Sequence, residues 1–189
     1  MPRGCNLRKI RICPSSVLTA ACLFLLFPAK ELLCAAAAVL LHEGGHLLMI
    51  ALCRTGVHSV TVLPFGAQIR TGPLTAWQEC LISAAGGLCN LAAFFCFRER
   101  FPVFALHCLV LGVLNLLPVR GLDGGNVTEN LLLLFLPPDT AHRICYAVSF
   151  ITLFVLWVFS AYLLLYGTGN ITLFLLCVFL FAQSFLCSP

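Results

Sequence analysis

The stretch LLHEGGHLLMI, residues 40–50, places two histidines and a glutamate inside a run of leucine and other apolar residues. Ionisable side chains are costly in a bilayer, and within a spanning segment they mark a functional site. Positions i and i+4 share one face of a helix, so His42 and His46 can direct two imidazoles at one metal ion, with Glu43 beside them. The stretch therefore predicts an apolar helix that carries metal chemistry.

The composition of the whole chain predicts a polytopic membrane protein. Of its 189 residues, 61% are hydrophobic and 10% are charged, and the mean hydropathy is +1.03. Ordinary soluble chains are about half apolar and about a quarter charged. The net charge of +4 comes from scattered basic residues, not from one basic stripe, so nucleic acid is not an expected partner. The expected surroundings are the lipid bilayer of the cell membrane.

The twelve cysteines do not predict a disulfide framework or a thiolate metal site. No C-x-x-C pair occurs. Free cysteine packs as a small hydrophobic residue. Half of the cysteines lie inside apolar runs: Cys22, Cys34, Cys89, Cys96, Cys108 and Cys177.

Six apolar segments are candidates for spanning helices, which need about 17 to 25 residues. They cover residues 12–29, 32–52, 76–97, 102–117, 142–166 and 170–187, and HEGGH lies in the second. Residues 57–69, VHSVTVLPFGAQI, predict a short β-hairpin between the second and third segments. The predicted fold class is an all-α polytopic membrane protein with about six transmembrane helices and this hairpin, in a single domain over residues 1–189.

The basic residues predict the orientation in the membrane. With the N-terminus inside, eight lie in cytoplasmic segments: Arg3, Arg8, Lys9, Arg11, Arg54, Arg70, Arg120 and Arg143. Three lie outside: Lys30, Arg98 and Arg100. HEGGH and the later GLDGG loop then approach the same cytoplasmic side. The alternative is a signal peptide cleaved near residues 35–38, which would leave HEGGH without a preceding helix.

HEGGH fits the pattern H-E-x-x-H, in which two histidines bind zinc and the glutamate acts as general base. A catalytic zinc site needs a third protein ligand. Asp123 in NLLPVRGLDGG is the candidate, because a carboxylate suits zinc and Pro118 interrupts the helix before it. The alternative for Asp123 is an N-cap of the next helix. The other histidines, His58, His107 and His142, are each more typical of packed or interfacial residues.

The two motifs together resemble the site-2 protease family, the M50-type intramembrane zinc metalloproteases. The second motif of that family reads N-x-x-P-x-x-x-x-D-G, and Asn115, Pro118, Asp123 and Gly124 match it in order and spacing. The likeness extends over nearly the whole chain. It is strongest to the compact sporulation-type branch, which lacks a PDZ domain.

The resemblance implies a ligand set and a role for each residue. His42, His46 and Asp123 would bind Zn²⁺, and Glu43 would activate a water molecule. An asparagine in the family's G-P-x-x-N motif lines the active site, and Asn90 in GGLCN corresponds to it, although glycine stands in place of the proline.

Asn115 is the second polar candidate for the active site. It would donate a hydrogen bond to the substrate carbonyl or its oxyanion. A polar residue that holds two helices together is the other interpretation of Asn115.

The resemblance therefore predicts a zinc endopeptidase that cleaves a membrane-associated protein near the cytoplasmic face. It implies a pro-sigma factor or another regulator as substrate, and it allows for a membrane regulatory partner. The predicted hairpin would hold an extended substrate at a strand edge, or it would only cover the site. Three alternatives share parts of the pattern: a membrane zinc transporter, a catalytically silent scaffold and a prenyl-protein protease.

Overall fold

The computed structural model describes residues 10–12, 28–63, 66–167 and 171–186. In this part of the chain there are six helices: α1 (Ala29–Leu52), α2 (Ala76–Phe97), α3 (Pro102–Leu116), α4 (Asp123–Leu133), α5 (Pro138–Tyr166) and α6 (Ile171–Leu186). There are three strands: β1 (Ile10–Ile12), β2 (Val57–Leu63) and β3 (Gly66–Thr71).

Three helices, α1, α2 and α5, are long enough and apolar enough to cross a membrane. Helix α3 is apolar but has only 15 residues. The predicted segment at residues 12–29 lies mostly outside the described residues. The chain is thus a helical membrane protein with three candidate spans among the described residues, and the count of six spans stays a prediction.

The strands form one three-stranded sheet in the order β1, β2, β3. Strands β2 and β3 are antiparallel, with Leu63 opposite Gly66, and they occupy the segment for which the hairpin was predicted. Residues 64 and 65 between them lie outside the described residues, so the turn stays a prediction. Strand β1, which pairs parallel to β2, was not predicted. A run of three residues is too short to show a period of its own.

The chain divides into two compact units, residues 1–114 and 115–189. In the first unit α1 packs against α2. Its core is made of the small side chains Ala38, Ala93 and Cys108, which let helices approach closely. Outward side chains of α1 are large and apolar, and Leu40 is 72% exposed. A soluble helix would carry polar residues there, so this surface fits lipid.

The start of α2 follows from local sequence. Thr75 is the N-cap, and its hydroxyl accepts a hydrogen bond from the backbone N–H of Gln78 at 3.3 Å. The Gln78 side chain in turn accepts from the Thr75 backbone N–H at 3.1 Å. This capping box satisfies N–H groups that the first turn of a helix otherwise leaves without partners.

In the second unit α4 and α6 both pack against α5. The core of this unit consists of Val119, Leu153 and Leu180. The chain turns into α4 at Gly121, whose φ of 91° is in the region that favours glycine. The predicted single domain over residues 1–189 stays a prediction.

Candidate metal and catalytic site

The HEGGH histidines lie on the buried face of α1. Its buried residues are Ala38, His42, Gly45, His46 and Ile50. Ala38, His42, His46 and Ile50 follow one another at steps of four and Gly45 lies three positions after His42, so all five form one stripe. His42 is 6% exposed and His46 is 9% exposed. Burial of two imidazoles in an apolar helix requires polar partners for their ring nitrogens.

Two glycines allow α1 and α2 to approach closely enough to supply those partners. A Cβ atom on Gly45 would lie 2.9 Å from the carbonyl oxygen of Ala85 and 3.1 Å from the Cα of Gly86. A Cβ atom on Gly86 would collide with Nε2 of His46 and lie 2.9 Å from Cε1 of His42. The two imidazoles therefore fill the space that a side chain at position 86 would need.

The ring nitrogens of both histidines have partners. Nδ1–H of His46 donates to the carbonyl oxygen of Ile82 at 2.7 Å. The Nε2 atoms of His42 and His46 are 3.1 Å apart. On the other side of the pair, the side-chain amide of Asn90 donates to Nδ1 of His42 at 3.4 Å. Helix α2 thus orients both rings, one through its backbone and one through a side chain.

This arrangement fits a divalent metal ion. Two nitrogen ligands at about 2.0–2.1 Å from one tetrahedral zinc are about 3.3 Å apart, close to the 3.1 Å between the two Nε2 atoms. The Oδ1 atom of Asn90, which is 0% exposed, has no hydrogen-bond partner among the residues that the structure describes. An orphaned polar atom on a residue that contacts the His42 ring is typical of a site built for a further group.

Glu43 follows His42 on α1 and is partly buried. One of its carboxylate oxygens is shielded from solvent. A carboxylate next to a metal-binding histidine, with part of its side chain still accessible, is suited to accept a proton from water.

Asn115 and Asp123 belong to the second unit. Asn115 is partly buried near the end of α3. Asp123 is the first residue of α4, and the N-cap position belongs to Leu122, with φ −106° and ψ 164°. The alternative that Asp123 is an N-cap is therefore wrong, because its own backbone is already helical.

The remaining histidines have local contacts. Nδ1–H of His107 donates to the carbonyl oxygen of Val103, one turn earlier in α3, at 2.8 Å. Nδ1 of His142 pairs with Oε1 of Glu129 at 3.0 Å, and its side chain is 54% exposed. The side chain of His58 lies outside the described residues. The contacts of His107 and His142 fit the packed and interfacial roles expected from the sequence.

Sequence reasoning missed Gly45, Gly86 and Ile82. The glycines carried a signal, because small residues inside an apolar segment indicate close helix packing. The carbonyl of Ile82 carried none, since any residue at that position has the same acceptor.

No family model matches the chain, and comparison with known proteins finds similar relatives and solved structures. Stage IV sporulation protein FB of Bacillus subtilis is 30% identical over 149 residues, which is 72% of this chain and 52% of that protein. The chain thus spans about half the length of this relative. The solved structure of Site-2 Protease from Methanocaldococcus jannaschii has the same fold, with a TM-score of 0.66, 20% identity, and coverage of 91% of this chain and 87% of that one.

Proposed function

The chain belongs to the site-2 protease family, and we propose that it is an intramembrane zinc endopeptidase that cleaves a membrane-associated protein. The observation that carries the proposal is the pair of buried imidazoles on α1, whose Nε2 atoms are 3.1 Å apart. Such a pair in an apolar helix is a costly feature without a metal to bind.

The proposed zinc ligands are His42, His46 and Asp123, each of which offers one ligand atom that could hold a metal ion. Zinc, when bound, supplies Lewis acidity to the scissile carbonyl and makes the attacking water more acidic. Contacts with α2 orient the rings of the two histidines. Asp123 would be supplied by the second unit, from the first turn of α4.

Glu43 is the proposed general base. It would take a proton from the attacking water and transfer it to the leaving amine of the cleaved peptide bond. Its position next to His42 and its partly accessible side chain support this role.

Asn115, near the end of α3, is proposed to contribute to the active site. Its side chain would donate a hydrogen bond to the substrate carbonyl or to the developing oxyanion. Its partial burial is also compatible with the other interpretation, in which it holds helices together.

The proposed substrate is a pro-sigma factor or another regulator, as the resemblance to the sporulation-type branch implies, and the relative from Bacillus subtilis is named as a sporulation protein. A membrane regulatory partner is part of this proposal. The protein would be a multi-pass protein of the cell membrane with its site near the cytoplasmic side, in keeping with eight basic residues in the predicted inner segments and three in the outer ones. Strand β3, which lies at one edge of the described sheet, would offer that edge to an extended substrate.

A zinc transporter is less compatible with the interior of α5. A transport path needs polar ligands along its length. The two buried polar side chains described on α5, Ser149 and Ser160, instead donate to backbone carbonyls of their own helix at 2.8 Å each. Among its described residues, α5 has no series of metal ligands that crosses the membrane.

The test combines metal content with proteolysis. Glu43→Gln retains the size of the side chain but cannot accept the proton, so zinc should stay bound while cleavage falls about 10²- to 10⁴-fold. His42→Ala should lose both zinc and cleavage. His107→Ala is the matched control, because its imidazole bonds to its own helix; it should retain both. Zinc is measured by emission spectrometry, and cleavage is measured on co-expressed membrane-associated regulators, including a pro-sigma factor.

Undiminished cleavage in Glu43→Gln would contradict the proposed mechanism. Zinc flux in vesicles together with no cleavage of any co-expressed protein would favour the transporter.

A further inference from the structure

We infer that Asn90 is a positioning residue that holds the proton of His42 on Nδ1 and so directs the lone pair of Nε2 toward the metal. This inference deepens the proposed function and rests on the proposed zinc site. It assigns Asn90 a partner within the protein, whereas the family resemblance implies only that this asparagine lines the active site.

The contact between the two residues is specific and buried. Asn90 is 0% exposed and His42 is 6% exposed. The side-chain amide nitrogen of Asn90 is 3.4 Å from Nδ1 of His42, across the seam between α1 and α2. Metal-binding histidines usually have a hydrogen-bond partner on the ring nitrogen that does not bind the metal. Asn90 occupies the position of such a partner for His42, a proposed metal ligand.

The partners of the ring nitrogens are compatible with one arrangement of the protons. A carbonyl oxygen only accepts, so His46 carries its proton on Nδ1 and its Nε2 has a lone pair. The 3.1 Å contact between the two Nε2 atoms is then a hydrogen bond only if the proton of His42 lies on Nε2. The Nδ1 atom of His42 is left to accept from the amide of Asn90.

This proton position on His42 is the wrong one for a metal ligand. Both Nε2 atoms must present lone pairs to bind one ion, so the proton of His42 has to lie on Nδ1. An amide nitrogen cannot accept that proton's hydrogen bond, but an amide oxygen can. Rotating the side-chain amide of Asn90 by half a turn exchanges Nδ2 and Oδ1 and supplies the acceptor.

The surroundings of Asn90 favour this exchange. Its Oδ1 has no hydrogen-bond partner in the described part of the chain, so the rotation breaks no bond to that atom. The bond that it replaces is long, at 3.4 Å, beyond the usual range of about 2.7–3.2 Å. His46 already has the equivalent arrangement, with the carbonyl of Ile82 as acceptor. With Oδ1 of Asn90 on His42, both rings would have an oxygen on Nδ1 and a lone pair on Nε2.

The test measures affinity for zinc and cobalt with substitutions that separate accepting a hydrogen bond from filling space. Asn90→Asp has nearly the same shape and only accepts, so metal affinity should stay within about tenfold of wild type. Asn90→Ala and Asn90→Leu cannot accept, and affinity should fall about 10- to 100-fold. Affinities come from chelator competition on the purified full chain. The absorption spectrum of bound Co²⁺ reports whether the ligand geometry around the ion has changed.

Asn130→Ala is the matched control, because Asn130 is also buried but donates to the carbonyl of Asn126 in its own helix at 2.9 Å. Its metal affinity should equal that of wild type.

The outcomes are distinguishable. If wild-type protein binds no zinc, the proposed function fails and the inference fails with it. If wild type binds zinc and Asn90→Ala binds equally tightly, only the inference is overturned, and a contact of Asn90 with substrate alone would explain a loss of cleavage. If Asn90→Asp binds more weakly than Asn90→Leu, Asn90 serves packing, because a buried charge without a bonding role is the more disruptive change.

Discussion

The buried asparagines of the two units differ in what they bond. Asn90 in the first unit reaches an imidazole on another helix, 48 positions away in the chain, and leaves its amide oxygen without a partner among the described residues. Asn130 in the second unit donates to a carbonyl one turn earlier in its own helix. Polar groups that are satisfied within their own element support the fold, whereas an incompletely satisfied group between elements marks a site for a ligand.

The glycines of the two units differ in the same way. Gly86 makes room for side chains, the imidazoles of His42 and His46. Gly125 in the second unit makes room for backbone, since a Cβ atom there would collide with the carbonyl of Val119. The seam between α1 and α2 is thus shaped around functional groups, and the start of α4 is shaped around the chain itself. Asp123 is the one residue of the second unit for which we propose a role in metal binding.

The largest loss of zinc affinity should come from Asp123→Ala, which tests whether a residue of the second unit binds the metal. If the carboxylate is the third ligand, zinc affinity should fall by more than about 100-fold, beyond what loss of an outer-sphere partner causes. Asp139→Ala is the control, because Asp139 also lies in the first turn of a helix in the second unit and is exposed. The measurement is chelator competition on both variants. Unchanged affinity in Asp123→Ala would limit the metal site to the first unit and leave only a helix-dipole contribution of about 0.3–1 kcal/mol.

A smaller loss is expected for Gly86→Ala, which tests whether the seam is shaped around the imidazoles. The added methyl group would push against both rings and change their orientation. Zinc affinity should therefore fall about 10- to 100-fold, as it does when a residue that orients a metal ligand is lost. Gly44→Ala is the matched control, since a Cβ atom at Gly44 meets nothing within 4 Å. That variant should bind zinc normally and gain up to about 1 kcal/mol of helix stability. Equal zinc affinity in the two variants would show that the rings do not depend on the glycine.

The smallest effect is expected for Ser149→Ala, which tests whether polar contacts in the second unit are structural. The Ser149 hydroxyl accepts from the backbone N–H of Arg120 at 3.1 Å and donates to the carbonyl of Cys145 at 2.8 Å. Its loss should lower the free energy of unfolding by about 1 kcal/mol and leave zinc affinity unchanged.

Ser160→Ala is the comparison for this variant, because the Ser160 hydroxyl donates to the carbonyl of Trp157 in its own helix, whereas Ser149 also holds the loop at Arg120. It should destabilise less, as measured by thermal unfolding in detergent. A tenfold loss of zinc affinity in Ser149→Ala would break the contrast, because that loop would then be coupled to the metal site.

Local signals were sufficient for most helices. Residues 76–97 were predicted as an apolar segment, and α2 has these bounds, since a capping box at Thr75 and Gln78 begins it. Helix α5 begins four residues before the predicted 142, because Pro138 stands in its first turn, where proline is favoured. The six-span count remains open because residues 13–27 lie outside the described residues.

By itself the sequence determined the pairing of His42 with His46, since four positions along a helix always place two side chains on one face. It also determined that Glu43 and these histidines lie in an apolar helix. Only the tertiary structure decided that Asn90 meets His42 and that the carbonyl of Ile82 accepts from His46. The rotation and separation of two packed helices depend on every side chain along their seam. The periodicity of a single segment therefore does not predict them.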